Sequence, residues 1–391
     1  MSTAPEQVLP RSLWALLFGN FVIGTGIMVV PGTLNDISQS LGISIASAGQ
    51  LISASALLVC LGAPIFATLI GNWDRRRLLT LCMVWYGVLL TLCATMPSFA
   101  TLLPLRVLAV IPAAIFTPQA AACVGLLVTP AQRGRAITLV FLGWSVASVL
   151  GMPLASLIGG TLGWRAAFVL IGLLAFASAL WVWRAMPNGI TPPALSRESW
   201  AATFRSKALM LSIAVTVLYS AGQFVLFAYF APYFKMTLKV TPTQLSLLFA
   251  WFGAFGFIGN MLASRYIDRM GPARTVLVCV GSMALSLLVW PLGTSVVLDA
   301  LVCVPLALGC FSSNSAQQAR LVSLFPALAG GSIALNTTAM YACQAIGAAG
   351  GGWLISIGQM GVLHWVGFVG LLAAMAVSVW ASRAQAAPAA S

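Results

Sequence analysis

A chain of 391 residues that is 60% hydrophobic and only 6% charged lacks the composition of a soluble domain, in which about a quarter of residues are charged. Its net charge of +13 does not describe a nucleic-acid face, because no soluble domain is present to carry clustered Lys and Arg; no nucleic-acid partner is expected. The 8 cysteines all fall in apolar stretches with no close pair at metal-ligand spacing, so they read as small buried hydrophobes and no metal site is expected.

Backbone N–H and C=O groups find no water in hydrocarbon, so a membrane chain crosses as helices or a closed barrel, and continuous apolar runs of about 20 residues fit helices. With Pro, Gly and charge as punctuation, the sequence yields twelve such runs, six on each side of a polar stretch at Pro187 to Lys207. The expected fold class is all-α integral membrane: twelve transmembrane helices in two pseudo-symmetric six-helix bundles. The N-terminal bundle is residues 1–186, a cytoplasmic linker is 187–207 and the C-terminal bundle is 208–391.

Arg11 precedes an apolar run too long for a signal peptide, so span one, Ser12 to Leu34, is expected to stay in the mature chain. It ends in Leu34-Asn35-Asp36-Ile37-Ser38, where an Asx turn suits Asn and Asp. Span two, Ala46 to Ile70, leads into Gly71-Asn72-Trp73-Asp74-Arg75-Arg76-Arg77, in which Asp74 can cap span three, Leu78 to Met96. Span four, Thr101 to Val128, carries Arg106 inside it. Inserting that charge costs at least ~2.5 kcal/mol, so it needs a partner, a cavity or an interface to snorkel to. Span five, Ala136 to Leu162, contains Gly151, Pro153 and Gly159: small residues admit a neighbouring helix and the proline bends the span. Span six is Ala166 to Met186.

In span seven, Ala208 to Ala231, the residues Tyr219, Gln223 and Phe227 recur at i, i+4 and i+8 and share one face. Span eight, Thr243 to Ala263, is followed by Ser264-Arg265-Tyr266-Ile267-Asp268-Arg269-Met270-Gly271-Pro272-Ala273-Arg274, a second copy of the charged segment half a chain from the first. That repetition points to a duplicated membrane unit, the architecture of many transporters. Spans nine to twelve are Thr275 to Gly293, Val296 to Ala319, Ser332 to Gly358 and Val362 to Ser382.

Of the 19 basic residues, the loops on one side hold only Arg165, Lys235 and Lys239, and Arg106 is inside a span; the others fall on the side of the termini. The positive-inside rule therefore expects a multi-pass cell (inner) membrane protein with both termini cytoplasmic. Among the 6 carboxylates, Glu6 and Glu198 are in tail and linker, Asp74 and Asp268 in the charged segments, and only Asp36 and Asp299 lie near outer span ends.

Four stretches resemble the major facilitator superfamily, and within it the twelve-span drug:proton antiporter group in its arabinose-efflux-like and purine-nucleoside-efflux-like branches. They are the paired Asp-Arg segments, Leu103-Pro104-Leu105-Arg106, the fifth-span run Gly151-Met152-Pro153-Leu154 with Gly159 to Phe168, and Ala334-Leu335-Asn336 with the span-eleven glycines. The resemblance implies a latch between the halves formed by Asp74, Arg75, Arg77, Asp268 and Arg269, and an antiporter motif at Gly151, Pro153 and Gly159. It also makes spans one and four neighbours, so Asp36 and Arg106 are expected as an outer-end ion pair whose protonation couples to transport. A proton carrier must change pKa as access alternates, which suits a partly desolvated carboxylate.

The implied cavity draws its candidates from spans one, four, seven, ten and eleven: Asn20, Gln119, Tyr219, Gln223, Phe227, Asn314, Gln318, Asn336, Tyr341 and Gln344. Each of them equally fits an interhelical hydrogen bond or packing contact. Amides and aromatics without clustered acids suit amphiphilic or neutral solutes, either drugs or sugar- or nucleoside-like metabolites. The function so implied is export by proton antiport and alternating access, with proton-coupled uptake by symport as the alternative. The partners are the small-molecule substrate, protons and the lipid bilayer. The proton gradient replaces any cofactor, and the protein is expected to be a monomer. No enzyme is expected, since the chain has one histidine, almost no intramembrane acid and no phosphate-binding Gly-x-x-x-x-Gly-Lys loop.

Overall fold

The computed structural model describes residues 10–70, 73–129, 133–191, 197–324 and 328–386. Gly71 and Asn72, which open the first charged segment, lie outside the described residues. The ordered elements among the described residues are all helical, and eleven helices are long and apolar enough to cross a membrane. The helix Ala329–Ser356 has the length to be another, but Asn336, Tyr341, Gln344 and its glycines dilute its apolar character.

Span one runs Arg11–Leu41, past the Asx turn anticipated at Asn35 and Asp36. Gly42 ends it instead, in the left-handed conformation at φ 63°, ψ 33° that costs glycine nothing, with its N–H turned back to the Gln39 and Ser38 carbonyls. Asp36 thus projects from a helix rather than closing one. Span two is Ile45–Leu69, capped by Ser44, and span three is Arg75–Thr95, capped by Asp74, whose Oδ1 accepts from the Arg77 N–H at 3.1 Å. Span four breaks at Val110 into Phe99–Ala109 and Ile111–Leu127.

The bend expected at Pro153 takes a specific form. Span five proceeds as Arg133–Val146, a π-helical turn Ala147–Gly151 and Met152–Leu162. Pro153 has no N–H for the carbonyl four residues earlier, and the wider π register absorbs the mismatch. Span six is Trp164–Ala185, and the linker carries a short helix, Arg197–Arg205. Span seven is Lys207–Phe227, continued after a turn by Phe230–Thr237.

Span eight begins with a capping box of Thr241 and Gln244 and runs Pro242–Met270. The second charged segment is therefore not a copy of the first in structure: Asp268 and Arg269 lie in the last helical turn, and Gly271 with Pro272 makes the corner. Asp74 immediately precedes its helix, whereas Asp268 stands four residues before Pro272, too far back to cap. Span nine is Pro272–Val289 with a 3-10 turn at Trp290–Leu292, span ten Val296–Leu324, span eleven Ala329–Ser356 and span twelve Leu363–Ala386.

Packing repeats with an offset of six spans. Three on six answers to nine on twelve, one on five to seven on eleven, and two on four to eight on ten. Two six-helix bundles result. They meet where span two packs on span eleven, span five on span eight, and span one on the short continuation of span seven. The linker face is the one at which the helix ends Arg11, Ala185, Lys207 and Ala386 stand, and the far face is opposite.

Candidate functional site

Arg106 sits one turn before the break in span four. Pro112 offers no N–H to the Leu108 carbonyl, and the indole Nε1 of Trp85 on span three donates to that oxygen at 2.9 Å. Arg106 is 2% exposed. Its Nη2 donates to the Gly26 carbonyl at 2.7 Å, and the Phe168 ring centre lies 5.7 Å from its central carbon. Nε and Nη1 have no hydrogen-bond partner among the described residues.

The expected Asp36–Arg106 pair is not formed. Asp36 lies ten residues beyond Gly26 on the same helix, about 15 Å along the axis at ~1.5 Å per residue, out of reach of a guanidinium bonded to Gly26. Its Oδ1 instead accepts from Lys235 Nζ at 2.9 Å. Lys235 belongs to the continuation of span seven, so this ion pair joins the two bundles.

Arg106 lines a cavity between the bundles. Ile27 and Val30 come from span one, Leu51 and Ser55 from span two, and Tyr341 and Gln344 from span eleven. The cavity has about 20 Å³ of room for water-sized occupants, enough for one water, whereas drug-sized ligands occupy ~300–1,000 Å³. Binding of a substrate here requires the bundles to part.

The remaining candidates divide. Asn20 is fully buried and committed: Nδ2 donates to the Val140 carbonyl at 3.0 Å, and Oδ1 accepts from Thr117 at 2.8 Å. It ties spans one, four and five together. Thr216 donates to Asn336 Oδ1 at 2.6 Å, and Asn336 Nδ2 donates to Asn314 Oδ1 at 3.1 Å, with Gln318 Nε2 donating to the same oxygen at 3.5 Å. This chain links spans seven, ten and eleven. Gln223 Nε2 meets Cys310 Sγ at 2.8 Å, Tyr219 sits among the hydroxyls of Ser220, Thr216 and Ser313, and Phe227 packs edge-on against Phe224 and Phe230. Their shared face is turned into the C-terminal bundle. Gln119 stays half-buried on span four. Of all ten, only Tyr341 and Gln344 border the cavity with Arg106.

The fifth-span motif lies on the seam. A Cβ at Gly151 would strike Thr25 and one at Gly159 would strike Thr33, so both glycines let span five approach span one. On the other side, the Pro153 carbonyl accepts from Ser246 Oγ of span eight at 2.9 Å, and a Cβ at Gly253 would strike the Ser148 carbonyl. Toward the far face, Gly160 packs under Pro242, and Tyr229 fits between Gly49 and Gly352 while its hydroxyl donates to the Ala348 carbonyl at 2.7 Å. These contacts and the Asp36–Lys235 pair seal the bundles together at the far face.

On the linker face, Asp74 Oδ2 accepts from the Gly189 N–H at 2.5 Å, and Arg76 donates to Asn188 Oδ1 at 2.9 Å with its guanidinium 4.3 Å from the Trp183 ring. Slight burial pushes the Asp74 carboxyl up, but the N–H groups of Arg77, Gly189 and Arg76 outweigh it and hold the group below the usual carboxylate range. Arg75 donates to the Ile70 and Trp73 carbonyls, and Arg77 offers Asp74 its backbone N–H. Asp268 and Arg269 are exposed.

Sequence reasoning missed Lys235, Ser246 and Tyr229 as seam residues. Lys235 had a signal: a basic residue on the side poor in them, in a chain with only 6 carboxylates to answer it. Asp299 is fully buried at the start of span ten, with Cys303 Sγ 3.7 Å from Oδ2.

The Major Facilitator Superfamily profile matches residues 16–348 and again 215–390, so the second match falls on the C-terminal half. A chloramphenicol resistance protein of Streptomyces lividans is 31% identical over 290 residues, 72% of this chain and 74% of that one. A probable sugar efflux transporter of Pasteurella multocida is 27% identical over 285 residues, 73% of this chain and 70% of its own. The crystal structure of a D-xylose-proton symporter superposes with a TM-score of 0.75 over 94% of this chain and 96% of that one, at 15% identity, a likeness of fold. The repeated bundles, the seam between them and these matches agree on a multi-pass membrane transporter rather than an enzyme, and the chain belongs to the Major Facilitator Superfamily.

Proposed function

We propose that this protein exports small amphiphilic or neutral molecules, drugs or sugar- or nucleoside-like metabolites, by proton antiport and alternating access. The observation that carries the reading is the far-face seal: an ion pair, a hydroxyl-to-carbonyl bond and glycine contacts join the bundles at one face, over a cavity that both bundles line. Such a seal is built from few, separable contacts, as a face that opens and closes requires. Asp36 stands at 17% exposure and Lys235 at 21%, so solvent at the far face reaches both. Protonation of Asp36 from the far face removes its attraction for Lys235, loosens the seal and opens the cavity to that side, where substrate leaves; release of that proton toward the linker face restores the pair, so the proton moves inward as the substrate moves out.

Relatives named for chloramphenicol resistance and sugar efflux support the outward direction. The distribution of basic residues supports an inner-membrane placement with both termini and the linker cytoplasmic and the far face outside. The charged segment around Asp74 then clasps the end of span six on the cytoplasmic side, and the protein acts as a monomer. The test is transport in proteoliposomes of known orientation with an imposed pH gradient. Inward proton flow should drive labelled substrate out across the far face; accumulation in the direction of proton flow would establish symport and overturn the antiport reading.

A further inference from the structure

Arg106 is a permanent cation at the wall of the inter-bundle cavity, and its surroundings leave it unneutralised. The carboxylate anticipated for it is held by Lys235, and the side chains lining the cavity include no acid. One carbonyl, the Tyr86 side chain and one aromatic face answer the guanidinium, while among the described residues Nε and Nη1 have no hydrogen-bond partner and the residue is 2% exposed. A buried cation with free donors is a standing electrostatic demand, met most strongly by an acceptor that carries negative charge. Beside it, Tyr341, Gln344 and Ser55 add donor groups, and Ile27, Val30 and Leu51 supply apolar wall.

We propose that the transported amphiphile is an organic anion: a single carboxylate, sulfonate or phosphonate head bound at Arg106, with an apolar body against spans one and two. This deepens the export reading and rests on it for the word transported; the binding claim stands on the cavity alone. The charge of the head is what the cavity selects, since the amides and aromatics around it also accept neutral polar groups but only the guanidinium distinguishes an anion from its uncharged isostere. Tyr86 on span three stands beside Arg106 and donates to the Ile23 carbonyl at 3.4 Å.

The probes are compounds that share one 4-phenylbutyl body and differ in the head: carboxylate, sulfonate, phosphonate, and the neutral amide and alcohol. Binding to the purified full chain in lipid nanodiscs, read by tryptophan fluorescence at neutral pH, should favour at least one of the anions over the amide by about tenfold or more, as hydrogen bonds to charged groups exceed neutral ones. Arg106→Gln should erase the preference and Arg106→Lys should keep part of it, with the amide affinity of each variant reporting whether the cavity is intact. If no anion binds better than the amide in the unaltered protein, the inference is wrong whatever the variants do. The export reading is judged separately, by pH-driven transport in proteoliposomes: neutral substrates moved without anion preference would sink this inference alone, and anion binding without pH-driven export would sink that reading alone.

Discussion

Asp36→Asn should open the far face. At the observed 2.9 Å, two unit charges attract by about 1.4 kcal/mol in water and about 6 kcal/mol at an effective dielectric of 20. Dehydration and lost side-chain freedom offset most of that, and solvent-exposed pairs net only ~0.2–1 kcal/mol. Side chains that are 21% and 17% exposed belong near the top of that range. A loss of about 1 kcal/mol multiplies the far-face-open population about fivefold. The reporter is Ser246→Cys, on the seam opposite Pro153, labelled with a membrane-impermeant maleimide; the native cysteines are buried apart from half-buried Cys60, and the protein without the reporter gives the background. Labelling should rise about fivefold in Asp36→Asn and in Lys235→Met, and fall back in the charge-swapped Asp36→Lys/Lys235→Asp double variant, since each ~1.4 kcal/mol is tenfold. Unchanged labelling in both single variants would refute the gate, and a swap no better than the singles would show that charge is not what holds it.

Three further outcomes follow from the geometry. Gly253→Ala sets a methyl group against the Ser148 backbone, which cannot move aside as a side chain would; overpacking of ~1–3 kcal/mol should fall on the seam, raising Ser246→Cys labelling and lowering transport while the size-exclusion profile stays that of the unaltered protein. Asn336→Ala removes two interhelical hydrogen bonds at about 0.6 kcal/mol each, so the thermal midpoint in detergent should drop modestly; an unchanged midpoint would mean the Thr216–Asn336–Asn314 chain is not made in the protein. Asp74→Asn should flatten the acid limb of stability. A carboxyl held below its usual range contributes stability above the ordinary value of about 3.9 and loses it as pH falls through the lowered one, so melting below pH ~4 should fall more steeply in the unaltered protein than in the variant.

Local features were legible because local chemistry decides them. An aspartate just ahead of an apolar run caps it, as Asp74 does, and a proline within span five had to bend it. The π turn that accommodates Pro153 was not legible, because whether a proline kinks a helix or widens one turn depends on the neighbours it meets, here Thr25 on one side and Ser246 on the other. For Asn20 and Asn336 the sequence leaves substrate contact and interhelical hydrogen bonding equally open, and the choice rests on partners, Val140, Thr117, Thr216 and Asn314, that lie on other spans. The Asp36–Arg106 pairing failed for a related reason: adjacency of spans one and four says nothing of depth along them. The residue that answers Asp36 is 199 positions away, across the pseudo-symmetry axis.

For the proposed antiport, separation of Asp36 from Arg106 changes how proton and substrate are coupled. Had they formed one pair, a proton on Asp36 would act directly on the charge that meets the substrate, and substrates of different charge would shift the proton site itself. With Asp36 held by Lys235 at the far face and Arg106 bonded to Gly26 about 15 Å along the same helix, direct interaction is screened over more than a Debye length of ~8 Å wherever water enters. Under the proposed antiport, coupling passes through the shared conformational equilibrium: the proton biases the seal, the substrate biases the cavity, and each feels the other only as a change in which face is open. Span one carries Asp36 and the Gly26 carbonyl to which Arg106 donates, and it packs on span five, whose π turn touches span eight, so both groups bear on the same seam.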